Sequence, residues 1–399
     1  MPKATHSPLL KRPFKRRLAP LYIVSFLLIF HSTAITFFNS SYLERFISPT
    51  AIGTLYTVGS AIGMFIFLFI SRVLRKLGNF YLTIGILVLE FLAVLGMGFA
   101  TSLNVAIPLF LITIITLPLL FFNVDIFIEE MIGNKETSTG SRRGLLLAGA
   151  SAIGAIAPLI SGSLVDQATE DFTYVYLLSA LTLIPVLLIM IGYYKNFTDP
   201  KYNEIKLFDA IRFFWQTKNI RYVFIAHFAL QLFFMTTVIY MPLYLTDVIG
   251  FSWKEFGILM FFAYLAYIIL EYPIGYIADK YIGEKEMMVF GLLVIALSVS
   301  WFAFVTEHNL ILWAMIVFTT RVGASFVEAT TESYFFKQTN STDAQIISFF
   351  RIIRPFSYVF GALLASFALL YLPLNLLFVV IASIMVPVMF LTLNIEDTK

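Results

Sequence analysis

The sequence contains no cysteine, which removes disulfides, thiol nucleophiles and thiolate metal ligands from consideration. Charge is nearly as scarce. Asp, Glu, Lys and Arg make up 13% of the 399 residues, against roughly a quarter in soluble domains, too few to coat a surface facing water. No Gly-x-x-x-x-Gly-Lys-Ser/Thr loop occurs, so an internal ATPase is not expected. His/Cys clusters at metal-ligand spacing and a nucleophile elbow are also missing, and neither a metal, a cofactor nor an enzymatic centre is expected. Residues 1–17 are basic and lack an apolar core. That argues against a cleavable signal peptide and leaves the first apolar run as an uncleaved anchor. The tail is too short to argue for nucleic acid as a partner, and attraction to anionic lipid explains it.

What the chain has in abundance is apolar residues, 59% of the total, gathered in runs long enough to cross a bilayer core about 30 Å thick. Membrane β-strands would alternate in segments of about ten, and these runs do not. The expectation is an all-α integral membrane protein with spans at 19–39, 50–71, 80–100, 104–129, 144–165, 173–194, 220–244, 254–275, 286–306, 309–336, 345–368 and 372–393. With a cytoplasmic N-terminus, about 22 of the 27 Lys and Arg fall in inside segments, as the positive-inside rule requires. A missed span would invert that alternation downstream. Both termini are therefore placed in the cytoplasm of a plasma-membrane protein.

The organisation expected is a basic tail over 1–18, one bundle of six helices over 19–194, a linker over 195–219, a second bundle over 220–394 and a tail over 395–399. In the linker, Phe208, Ile211, Phe214 and Trp215 stand near helical spacing, which reads as an interfacial helix or a plain connection. The halves repeat. A shift of 202 residues lays Ile23, Phe26, Leu28, Tyr42 and Leu43 on Ile225, Phe228, Leu230, Tyr244 and Leu245. A shift of 203 lays Asp125 and Glu129 on Glu328 and Glu332. Such repeats are a common construction of secondary transporters.

The stretch Gly275-Tyr276-Ile277-Ala278-Asp279-Lys280-Tyr281-Ile282-Gly283-Glu284-Lys285 resembles the loop signature of the major facilitator superfamily, Gly-x-x-x-Asp-Arg/Lys closing on glycine. The corresponding stretch in the first half, Ser71-Arg72-Val73-Leu74-Arg75-Lys76-Leu77-Gly78, has Ser71 for the first glycine and Arg75 for the acid. Gly154, Pro158 and Gly162 are similar to the Gly-Pro element of the family's antiporters. The resemblance implies two pseudo-symmetric six-helix bundles, alternating access, and a cavity lined by spans one, four, seven and ten. Gly275, Asp279, Lys280, Gly283 and Arg75 are the expected gating-loop residues. Gly275 would permit close approach of helix ends, and Asp279 would accept from a helix N-terminus or pair with a base.

Charged groups at bilayer depth mark function or pair with one another. Arg321 lies near the middle of span ten, about 16 Å deep at 1.5 Å per residue. It stays protonated and needs an anion from the protein or from a substrate. Glu328 and Glu332 follow on the same face, the expected solute path, and Glu328 is a substrate or coupling candidate. Glu332 is expected to form structural charge pairs with Arg351 and Arg354 of span eleven, with Glu328 joining them as its alternative. Glu90, alone in span three, is a candidate proton carrier or a hydrogen-bonded packing group. Asp125, His31 and Gln231 complete the substrate and coupling candidates, with interhelical bonding as the alternative for each.

The function expected is secondary active transport of a small organic solute, coupled to a proton or sodium, with export favoured over import and the chain acting as a monomer in the lipid bilayer. Two alternatives stand: a transporter-like sensor or scaffold that does not transport, and a membrane-embedded lipid-modifying enzyme.

Overall fold

A computed structural model describes residues 15–132, 139–166, 168–202, 207–338 and 344–396. In the first half α1 (Lys15–Thr36) breaks at Phe37 and restarts as the short α2 (Asn39–Glu44). There follow α3 (Pro49–Leu77), α4 (Asn79–Phe99), α5 (Leu103–Ile132), α6 (Thr139–Leu164) and α7 (Thr173–Tyr194). The linker forms α8 (Leu207–Gln216). The second half holds α9 (Lys218–Leu243), α10 (Trp253–Ile277), α11 (Glu284–Ser300), α12 (Leu310–Gln338), α13 (Ala344–Ala368) and α14 (Leu374–Thr392). Ten of these helices are long and apolar enough to cross a membrane, and the apolar parts of α6 and α13, Gly149–Leu164 and Ile352–Ala368, complete twelve spans.

Helix ends follow local chemistry. Ser48 caps α3 ahead of Pro49, whose missing N–H costs nothing at a first helical position. Ser252 and Glu255 form a reciprocal capping box at the start of α10. These two serines open the second span of each half. Gly78 and Gly283, with φ of +76° and +101°, turn the chain between the second and third spans of each half, a backbone region that favours glycine.

A tertiary bond repeats as well. Tyr42 donates to the Met97 carbonyl at 2.9 Å, and Tyr244 donates to the Phe302 carbonyl at 2.6 Å. In each half the first span is thus tied to the end of the third by a tyrosine at the same place in the repeat.

The last described residues pack at the end of the molecule that carries α8, here the linker end. Ile395 packs in a cluster with Phe214 of α8, Ile220, Phe335 and Phe350, and Tyr334 donates to the Glu396 carbonyl at 2.7 Å. In α8 Phe214 is buried while Trp215 is 70% exposed, so the helix has one packed face and one free aromatic face. Phe65, Leu92, Leu188, Phe304 and Ile311 stand exposed on the outside of the bundle, as lipid contact requires.

The halves meet chiefly through α6 against α10 and α3 against α13. At the far end this contact is backbone on backbone. A Cβ on Gly162 would stand 2.2 Å from the Trp253 carbonyl oxygen, and one on Gly257 would stand 2.7 Å from that of Pro158. Phe37, Phe38 and Phe172 of the first half interlock there with Trp253 and Phe256 of the second. Ser366 of α13 also donates to the Thr50 carbonyl at 3.0 Å. The far end is shut.

Gly162→Ala is expected to pry this end apart, although Ala otherwise gains about 0.5–1 kcal/mol over Gly inside a helix. Hydrogen–deuterium exchange at the start of α10 should rise about tenfold or more. Gly85→Ala, where an added Cβ meets nothing within 4 Å, should leave exchange unchanged. Equal exchange in both variants contradicts the close contact.

Candidate translocation site

The first half holds a dry polar network. His31 of α1 and Glu90 of α4 are fully buried, with Nε2 of the histidine 3.1 Å from Oε1 of the carboxyl. Thr116 of α5 donates to the other carboxyl oxygen. The hydroxyl of Ser179, on α7, lies 2.7 Å from His31 Nδ1 and donates to the His31 carbonyl at 2.9 Å. With the Ser179 hydrogen used there, His31 Nδ1 donates to the serine oxygen and Nε2 faces the Glu90 carboxyl. Four helices of one bundle are fastened by this network, none from the other half. Glu90 has a base as partner, 59 positions away in the chain.

In the second half His227 is held through Nδ1 by the Thr331 hydroxyl at 3.0 Å, and its Nε2 lies 3.3 Å from Gln231 Nε2. Thr331 spends its own hydrogen on the Val327 carbonyl at 2.7 Å. The ring therefore donates from Nδ1 and accepts at Nε2, which is the neutral form. Gln231 Oε1 is buried without a hydrogen-bond partner.

Deeper in that half lies Arg321, only 5% exposed. Its guanidinium sits 4.8 Å from the ring centre of Phe233 and 5.6 Å from that of Phe234, both on α9. Stacking on aromatic faces suits the weakly hydrated guanidinium. Nη2 donates to Thr237 at 3.0 Å, and Nη1 is buried with no partner. The hydroxyl of Tyr267 on α10 is likewise buried and unpartnered, and it lies in the field of Arg321 together with Tyr264.

One step along α12, Glu328 lies in the fields of Glu332, Glu271, Arg354 and Arg321. Glu328 is half-buried, while Glu332 and Arg354 are exposed. Arg354 is hydrogen-bonded to Tyr358 on α13. The Arg351 side chain lies outside the described residues, so its expected pairing does too. Sequence reasoning overlooked Glu271, the three tyrosines, Thr237 and the two phenylalanines. Only Glu271 carried a signal, an acid near the end of an apolar span, hidden by its closeness to the boundary.

The expected gating loops fare differently. Asp279 and Lys280 fall in a π-helical turn over Ala278–Ile282, with their side chains outside the described residues. A Cβ on Gly275 would meet nothing within 4 Å, which corrects the expectation of close helix approach there. Gly283 makes the corner between α10 and α11 instead. Arg75 donates from Nη1 to the Tyr202 carbonyl at 3.2 Å. A carboxylate still serves the first-half corner, and Asp199 of the linker supplies it, accepting from the Asn79 N–H at 2.7 Å. Such a cap at a helix start satisfies an orphan donor and suits the dipole. Burial, then the bond to Asp199, pushes the Tyr202 hydroxyl well above its ordinary range. Asp125 is half-buried on α5.

Twelve spans in two repeated halves, packed together at one end and each carrying buried polar and charged groups, fit a membrane transporter rather than an enzyme. The sequence matches the profile of the Major Facilitator Superfamily over residues 21–265 and 223–398, and the chain belongs to that family. A search of curated proteins gives no match. Among solved structures, a variant of the nucleoside transporter NupG is similar at 14% identity, covering 94% of this chain and 98% of that one, with a TM-score of 0.76. A POT family transporter in complex with 5-aminolevulinic acid is similar at 14% identity, with coverage of 96% and 98% and a TM-score of 0.75. A variant of the peptide transporter POT in complex with alafosfalin gives 13% identity, coverage of 94% and 93%, and a TM-score of 0.74. At these identities the likeness concerns the fold.

Glu90→Ala is expected to cost about 3–5 kcal/mol, the usual result of stripping one partner from a buried ion pair. Glu90→Gln, which can still accept from His31 and Thr116, should cost less. Thermal unfolding in detergent measures both; equal and small losses would mean that the network does not fasten the first bundle.

Proposed function

We propose that the chain is an ion-coupled secondary transporter that carries a small solute bearing an anionic group, and that Arg321 binds that group at mid-depth. The observation that carries this reading is the buried guanidinium with an unpartnered N–H beside an unpartnered tyrosine hydroxyl. An unsatisfied donor on a buried charge is costly, and a carboxylate or phosphate oxygen would relieve it with a charge-assisted bond. Phe233, Phe234 and Tyr264 offer flat apolar walls for the rest of the solute. The acids Glu328, Glu271 and Glu332, one step away, would attract a proton or sodium, giving the solute anion and the coupling cation adjacent places. Asp125 is a further coupling candidate on the cavity side of the first half.

The linker end is read as cytoplasmic, on the surplus of Lys and Arg in its segments, in a plasma membrane with both termini inside. In that orientation the shut far end faces outward, and opening it while closing the linker end exchanges access. The six-helix halves over 19–194 and 220–394 are taken as the moving bodies, with α8 on the inner lipid surface. The Gly154, Pro158 and Gly162 element supports export. His31 with Glu90 is read as a fastening of the first bundle, outside the solute path.

Reconstituted protein should take up carboxylate, phosphate-bearing or zwitterionic solutes in preference to their neutral analogues, and an imposed pH or sodium gradient should drive the flux. Arg321→Gln should lower uptake about 10–100-fold, the worth of one hydrogen bond to a charged group, with unfolding temperature little changed. Preference for neutral analogues, or full activity in Arg321→Gln, would refute the site.

A further inference from the structure

A second feature joins the halves at the far end, away from Arg321. Ser41, Glu44 and Arg45 on and beside α2 line a cavity of about 170 Å³ with Glu170, from the turn before α7, and with Asp247 and Trp253 of the second half. Asp247 sits in a π-helical turn over Tyr244–Val248 that continues α9. Such turns often occur at functional positions.

Glu44 and Asp247, one from each half, line this cavity together, close enough for each carboxyl to act on the other. Two carboxylates have only acceptors, so a bond between them needs a proton on one of them. The Thr246 hydroxyl lies 2.9 Å from both Asp247 Oδ1 and the Pro242 carbonyl. Burial first, then the bond and charge of Asp247, then the charge of Glu170, push the Glu44 carboxyl up to about 8. Arg45 is the cation lining the cavity. Its guanidinium lies about 6 Å from the rings of Tyr42 and Phe46 and lowers Asp171, which accepts from Thr173. Glu255, at the start of α10, faces His308 at 3.5 Å. Ser41 is 8% exposed, and its hydroxyl, on the cavity wall, has no partner.

We propose that this cavity is a proton-binding site that locks the far gate: one proton held between Glu44 and Asp247, beside the Ser41 hydroxyl, joins the two halves, and its loss drives them apart. The cycle balances simply. The proton leaves to water on the far side, both carboxylates become charged and solvated, and closure takes the proton back. Once the halves part, each acid stands in water at its ordinary low value, so the closed state binds the proton more tightly than the open one. Between the acid's ordinary value of about 4.5 and the closed-state value of about 8, each unit of rising pH weakens closure about tenfold, and above about pH 8 the effect levels off because neither state holds the proton. Nothing here depends on which solute Arg321 binds or on which cation drives transport.

The absence of native cysteine makes site-directed spin labelling direct. Ser102 and Thr306, exposed in far-end loops of opposite halves, are changed together to cysteine in the full chain, labelled, and measured by double electron–electron resonance in lipid nanodiscs. The short distance is expected to prevail at about pH 6, with the ratio of long to short growing about tenfold per unit up to about pH 8 and levelling off above it. Glu44→Gln and Asp247→Asn, whose neutral amides can still bond across the gate, should keep the short distance at about pH 9.5. Identical distances in the parent at both pH values would overturn the proposal. So would opening at high pH that survives in both variants, or closure at about pH 9.5 produced by sodium chloride but not choline chloride, which would make the ligand a metal cation. Because the readout is a distance, a failed gate is told apart from a failed Arg321 site, which is read by uptake.

Discussion

The molecule depends on one contact, the meeting of helices from opposite halves at the far end. Gly162 and Gly257 let α6 and α10 approach until the carbonyls of Trp253 and Pro158 occupy the space of a missing Cβ. Without a hydrophobic driving force between helices in lipid, such close packing and a few polar bonds must hold them. The phenylalanines around Trp253 and the bond from Ser366 to Thr50 complete the seal. A seal made of packing and a few bonds can be undone as a unit, which a carrier requires.

Within each half the architecture is stiffer. The tyrosine bonds from Tyr42 and Tyr244 and the glycine corners at Gly78 and Gly283 recur in both halves, so each bundle is tied internally in the same way. The buried charges divide along the same line. His31 and Glu90 satisfy each other inside the first bundle, whereas Arg321 in the second keeps an N–H in reserve. On that contrast rests the proposal that one fastens and the other recognises.

Much of this was legible in the residues because lipid imposes a coarse rule: a run long enough to cross must be apolar and helical. The expected span 173–194 coincides with α7, and 80–100 differs from α4 by one residue at each end. The span expected at 50–71 continues as helix to Leu77, since Arg72, Arg75 and Lys76 can extend toward the surface without ending it. The break at Phe37, the π-helical turns and the partner of Glu90 were not legible. They depend on how helices far apart in sequence come together, and periodicity carries no record of that. Asp199 stands beside Pro200 in the linker sequence with nothing to mark its carboxylate as the cap of α4. Glu44 and Asp247 carried no sequence signal, because only the folded halves bring them to one cavity.

The central claim is that the Arg321 region is reached from one side of the membrane at a time. The direct measurement places a single cysteine at Tyr358, a half-buried neighbour of this cluster, and treats each face in turn with a membrane-impermeant thiol reagent. Alternating access predicts labelling from either face, with conditions that raise one rate lowering the other. Labelling confined to one face under every condition, or rates from both faces rising together, would contradict it.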